Sequence, residues 1–206
     1  MKGRAGDIEV IVDLPRLEPC GIALVGHSHP LLGGTWQDKV THTIAKSLAD
    51  CGYIVCRPAF RGTGRTDGQH DQGEGEAHDM VSVYQHALRS YGTLPVILAG
   101  FSFGAYVQSK AVVRLADIGR HPCHMLLVSI ALGNVRATRF YDTPDLPIPT
   151  VLIHGMEDDR VPIQRVYEWA GRQHHPVIAM AGADHFFNGS LTKLREIIVT
   201  TANGFR

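Results

Sequence analysis

The chain's most chemically suggestive spacing is the run Gly100-Phe101-Ser102-Phe103-Gly104. A serine hydroxyl is hardly nucleophilic at neutral pH, so it needs a base to take its proton. Ser102 follows the apolar run Pro95-Val96-Ile97-Leu98-Ala99 and opens a segment of helical period. In a tight strand-to-helix turn of this kind the backbone at the serine is strained, and its neighbours must be small. The N-terminus of the following helix also puts a positive electrostatic end where an oxyanion would form. A serine that merely caps the helix beside a plain glycine turn would fit the five residues alone. The strand–turn–helix setting favours the nucleophile.

Of the twelve histidines, His185 is the best placed to act as base. It follows the strand-like run Pro176-Val177-Ile178-Ala179-Met180 and the turn Ala181-Gly182-Ala183-Asp184. In a parallel sheet that position lies on the same carboxyl edge as Ser102, where ligands of open α/β sheets bind. An orienting carboxylate is expected after the preceding strand, where Glu157, Asp158 and Asp159 follow Thr150-Val151-Leu152-Ile153. Spacing does not choose among these three. Asp184 is weaker, because a sequence neighbour of His185 rarely reaches its ring squarely.

An oxyanion needs N–H donors. Phe103, next after the serine, supplies one at the helix start. The second is expected from the loop after the Gly21–Gly26 run; Pro30 has no N–H, which leaves Leu31, with Leu32 or Gly33 in reserve. His27 and His29 alternate on an extended segment and so point to opposite sides, with no third ligand at nearby spacing. They are expected to hydrogen-bond loop backbone, and neither a metal nor another cofactor is expected.

The rest of the chain supplies the elements that must hold these groups. Ile8–Val12 reads as a partly alternating strand near a sheet edge. Gly21–Gly26, Tyr53–Cys56, Pro95–Ala99, Met125–Ile130, Thr150–Ile153 and Pro176–Met180 read as further strands. Apolar residues recur at helical spacing over Trp36–Cys51, Met80–Tyr91, Ile163–Ala170 and Leu191–Ile198, and a helix is expected from about Phe103 to Ala116. Repeated strand-then-helix order with short connections predicts an α/β domain, with a mostly parallel sheet and helices on both faces. No repeat or linker divides the chain, so residues 1–206 are read as one domain. The segment 131–149 holds three prolines and no clear period, and its length suggests function. Arg61 and Asp67 are read as fixing the loop after the third strand. Glu74, Glu76 and Asp79 are read as favouring the start of the Met80 helix.

Several runs together resemble a family of small lidless bacterial α/β hydrolases. They are Leu24-Val25-Gly26-His27-Ser28-His29-Pro30-Leu31-Leu32-Gly33-Gly34-Thr35, Phe60-Arg61-Gly62-Thr63-Gly64-Arg65-Thr66-Asp67-Gly68, Gly73-Glu74-Gly75-Glu76, Gly100–Gly104, His154-Gly155 through Asp158 to Val161-Pro162, and Asp184-His185-Phe186-Phe187. The first usually reads His-Pro-His-Pro, so Ser28 departs from the pattern. The resemblance implies the α/β-hydrolase fold, the order Ser…Asp…His, hydrolytic chemistry, and Asp158 as the triad acid. It also implies an open site without a substantial lid. His29, Arg136, Arg139, Phe140 and Tyr141 are then expected at the substrate rim.

The expected reaction is hydrolysis of a small-molecule carboxylic ester or thioester through an acyl-enzyme. The same three residues would also serve an acyltransferase or a peptidase, and a non-catalytic binding module on the same fold is the rival from another class. Lysine plus arginine equal aspartate plus glutamate at 20 each, so no global basic field points to nucleic acid. No apolar run approaches the ~20 residues of a membrane-spanning helix. Nor does the start of the chain have an uninterrupted apolar stretch of signal-peptide length. A cytoplasmic protein with buried free thiols is expected.

Overall fold

In the central strands, successive side chains face opposite sides of the sheet and both sides are buried. In Val96–Phe101, for example, Val96 and Leu98 pack into one apolar cluster, and Ile97, Ala99 and Phe101 into the other. The computed structural model describes residues 1–16, 18–136 and 139–205. Its main sheet is made of β1 (Val10–Asp13), β2 (Gly21–Gly26), β3 (Tyr53–Pro58), β4 (Val96–Phe101), β5 (His124–Val128), β8 (Thr150–Gly155) and β9 (Val177–Met180). The spatial order is β1-β3-β2-β4-β5-β8-β9. Only the edge strand β1 runs antiparallel to its neighbour; the other pairings are parallel. The short strands β6 (Gly133–Val135) and β7 (Arg139–Tyr141) pair with each other outside that sheet.

The helices are α1 (Lys39–Asp50), α2 (Glu74–Tyr91), α3 (Phe103–Asp117), α4 (Ile163–Arg172) and α5 (Leu191–Asn203). Ile44 and Leu48 of α1 and Leu194 and Ile198 of α5 fill one face of the sheet. Met80 and Val83 of α2, Leu115 of α3 and Trp169 of α4 fill the other. This is the mostly parallel, doubly covered sheet that the strand–helix alternation predicts. The carboxyl ends of β2, β4, β8 and β9 share one edge and deliver, in turn, the His27–Gly34 loop, Ser102, Asp158 and His185.

Three local differences have physical causes. The 131–149 segment contains the β6–β7 hairpin, whose strands are three residues each, too short to show a period. Helix α2 begins six residues before Met80. The Glu76 carboxylate accepts N–H bonds from Gly73 at 2.9 Å and Asp71 at 3.0 Å, and so secures the first turn. Asp79, instead of serving the helix start, forms a two-bonded ion pair with Arg61 at 2.6 and 3.0 Å, while Asp67 accepts the Asp7 N–H at 2.7 Å.

The start of α3 crosses β2 and β4 at backbone contact. A Cβ on Gly104 would fall on the carbonyls of Gly26 and His27, and one on Gly100 would lie 2.6 Å from the Gly104 carbonyl. Because backbone cannot move aside as a side chain does, Gly104→Ala is expected to cost about 3 kcal/mol in urea unfolding. A loss below about 0.5 kcal/mol would show that the crossing has slack.

Candidate active site

Ser102 sits between β4 and α3 with φ 54° and ψ −116°, a conformation L-residues rarely adopt. Backbone hydrogen bonds hold it there: its N–H donates to Val128 O at 2.9 Å, and its carbonyl accepts from Ala105, Tyr106 and Ala131. The strain turns the hydroxyl off the end of the sheet toward His185, whose Nε2 lies 3.0 Å from Ser102 Oγ. His185 Nδ1 is 2.7 Å from Asp158 Oδ2. A carboxylate only accepts, so Nδ1 carries the proton and Nε2 is left to accept from the hydroxyl.

Among the acidic residues left open by spacing, only Asp158 reaches the ring. Its Oδ1 accepts the N–H groups of Arg160 at 2.8 Å and Val161 at 2.9 Å. Burial disfavours its charge, but the His185 hydrogen bond and these backbone donors outweigh burial and hold the carboxyl below its ordinary value. Asp159 is exposed and lies 3.4 Å from Arg136. Asp184 instead shapes the turn, accepting from Phe186 N–H and from Asn188. His154, buried beneath, places Nε2 2.8 Å from Val161 O and 3.3 Å from Asp158 Oδ2.

The loop after β2 is fixed from both ends. His27 Nδ1 lies 2.7 Å from Ser28 O, and its Nε2 accepts the Phe60 N–H at 2.9 Å. Ser28 donates its N–H and its hydroxyl to Asp38, which also caps α1 through Thr41 N–H. A proline at 28 would lack that first donor, which gives Ser28 a structural role of its own. Pro30–Leu32 form a 3₁₀ turn. The backbone N–H groups of Leu32, Gly33 and Gly34 are taken up inside the loop, whereas those of Leu31 and Phe103 have no acceptor among the described residues.

A cavity of about 250 Å³ opens at Ser102, and His29, Arg136, Arg139, Tyr141, Arg160 and His185 are in its wall. Phe140 is not; it is exposed and lines a neighbouring groove with Leu31 and Leu32. Tyr141 belongs to that wall and to the groove, mostly buried, with its ring edge-on to Phe103 and Tyr106. His29 packs against Phe103 and His70. Sequence reasoning missed Arg160, which lies over the Phe186 ring at 4.5 Å, and nothing in its spacing signals that position. It also missed Asp38, although an aspartate just before a helical apolar pattern is a recognisable cap.

The profile of the family described as serine aminopeptidase, S33, matches residues 31–135, from the loop after β2 to the end of β6. An uncharacterized protein of Rickettsia prowazekii is 33% identical over 174 residues, 81% of this chain and 71% of that protein. The chain belongs to the S33 family. An α/β serine hydrolase homologue from Coxiella burnetii is 32% identical, with TM-score 0.85, covering 98% of this chain and 94% of its own. An α/β serine hydrolase without lid from Xanthomonas campestris is 29% identical, with TM-score 0.86, covering 99% and 92%. This S33 member therefore has the lidless α/β-hydrolase fold, as its motifs imply. No helix among its described residues is long and apolar enough to cross a membrane.

The loop histidine His27 makes stability depend on pH. Burial lowers its pKa from 6.5 to about 4, and protonating Nε2 would break its bond to the Phe60 N–H. Below pH 6.5 the unfolded chain takes up a proton that the folded chain refuses until about pH 4, so acidification across this window destabilises the fold. Urea titrations at pH 7 and pH 4.5 should show a loss on the order of 2 kcal/mol from this group. His27→Gln should flatten the slope, and an unchanged slope would contradict the assignment.

Proposed function

We propose that the chain is a serine hydrolase that cleaves a carboxylic ester or thioester through an acyl-enzyme. The observation that carries this reading is the continuous hydrogen-bonded line from Ser102 Oγ through His185 to Asp158, at 3.0 and 2.7 Å. His185 takes the hydroxyl proton as Ser102 attacks the carbonyl carbon, and Asp158 holds the ring and stabilises its cation. The developing oxyanion is received by the N–H groups of Leu31 and Phe103, each such donor being worth roughly 3 kcal/mol. The proton passes from His185 to the leaving oxygen or sulfur. Water then enters, loses a proton to His185 and releases the acid.

The family description raises aminopeptidase activity as a second reading. Such an enzyme must hold a free α-ammonium close to its serine, which calls for a nearby carboxylate. The described wall of the cavity offers Arg136, Arg139 and Arg160 and no acidic side chain, an arrangement that repels a cation. The ester reading has no such conflict.

Ser102→Ala should abolish fluorophosphonate labelling and lower p-nitrophenyl acetate turnover by about 10⁵-fold or more. Asp158→Asn should lower turnover by roughly 10³–10⁴-fold, while Asp159→Asn, at an exposed pair, should stay within about threefold. Full turnover by Ser102→Ala, or a larger loss at 159 than at 158, would overturn these assignments.

A further inference from the structure

Away from Ser102, among the described residues, Arg16, Arg89, Arg120 and Arg172 are exposed to water, and the other arginines are held by the protein. Arg57 is paired with Asp13, Arg61 with Asp79, Arg65 with Glu9, Arg114 with Glu74 and Arg195 with Asp50. Arg165 donates to the carbonyls of Leu132 and Asn134. Arg139 and Arg160, by contrast, make no side-chain hydrogen bond or ion pair among the described residues, and the Nε of each is buried without an acceptor. Arg136 has only the long contact to Asp159.

All three residues nonetheless line the cavity that contains Ser102. Arg139 also lines the apolar groove beside it. Like charges brought together destabilise a fold unless counter-charges offset them in full. At Arg160 burial and the charges of Arg136 and Arg139 lower the pKa, and the charges of Asp159 and Asp158 offset this only in part. A buried Nε–H with nothing to donate to has the same effect. A ligand oxyanion relieves both, because the planar guanidinium fork matches two oxygens at once.

Resting on the serine hydrolase reading, we infer that the substrate carries an oxyanionic group close to its scissile carbonyl, held by Arg139 and Arg160 with Arg136 at the mouth. The adjoining groove, with Leu31, Leu32 and Phe140 exposed, receives an apolar part of the same molecule. The substrate class is an ester or thioester with a negative charge on one side of the carbonyl and a hydrocarbon portion on the other.

Two matched pairs of chromogenic esters test this. Mono-p-nitrophenyl glutarate against p-nitrophenyl pentanoate puts the charge on the acyl side; 5-acetoxy-2-nitrobenzoate against p-nitrophenyl acetate puts it on the leaving group. In at least one pair the anionic ester should have kcat/KM about tenfold higher or more at low salt, and the advantage should shrink as salt rises. Arg139→Gln and, independently, Arg160→Gln should bring the ratio to about one, while Arg139→Lys should retain part of it. Equal or neutral-favouring ratios in both pairs, with the neutral esters turned over, would overturn the inference and leave the serine hydrolase reading intact. A preference that survives both glutamine variants would overturn it as well. No turnover of any ester, together with no fluorophosphonate labelling of Ser102, would overturn the serine hydrolase reading and this inference with it.

Discussion

The site depends on how closely the start of α3 approaches β2 and β4. Gly26, Gly100 and Gly104 leave no room for a Cβ at that crossing, so the turn between β4 and α3 is compressed and Ser102 takes a positive φ. Such a conformation costs about 1–3 kcal/mol. It persists because backbone hydrogen bonds to Val128, Ala105, Tyr106 and Ala131 over-determine it. Without that crossing the serine would relax toward the helix and away from the imidazole, and Phe103 would no longer present its N–H beside the hydroxyl.

Electrostatics then divides the site into two sides. Behind His185 lies one buried carboxylate, Asp158, secured by backbone N–H groups and by the ring it orients. In front lies an arginine-lined wall with no carboxylate among the described residues. In the proposed reaction, a cation forming transiently on His185 is stabilised from behind, and an anion forming on the substrate from the helix end and from the loop. The loop in turn holds its shape through His27 and Asp38, neither of which touches the reacting atoms.

Much of this was legible in the sequence, for physical reasons. Long apolar strands covered on both faces stand out as unbroken runs, so the sheet and its order of elements could be read directly. The glycines at 100 and 104 flag the elbow because few other residues fit. The choice among Glu157, Asp158 and Asp159 was different: adjacent residues in a turn point in unrelated directions, so spacing could not choose. The family resemblance implied Asp158, and the folded turn brings Asp158 to the ring. The β6–β7 hairpin escaped notice because three-residue strands carry no period. Arg160 escaped because its role comes from stacking on Phe186, a contact between residues 26 positions apart.

A crystal structure of the covalent adduct formed with a fluorophosphonate would test the central claim most directly. The account predicts phosphorus bonded to Ser102 Oγ, with the phosphoryl oxygen about 2.7–3.1 Å from both the Leu31 and the Phe103 nitrogens, and His185 still bonded to Asp158. An adduct on another residue, or a phosphoryl oxygen turned to solvent with those two N–H groups pointing elsewhere, would contradict it.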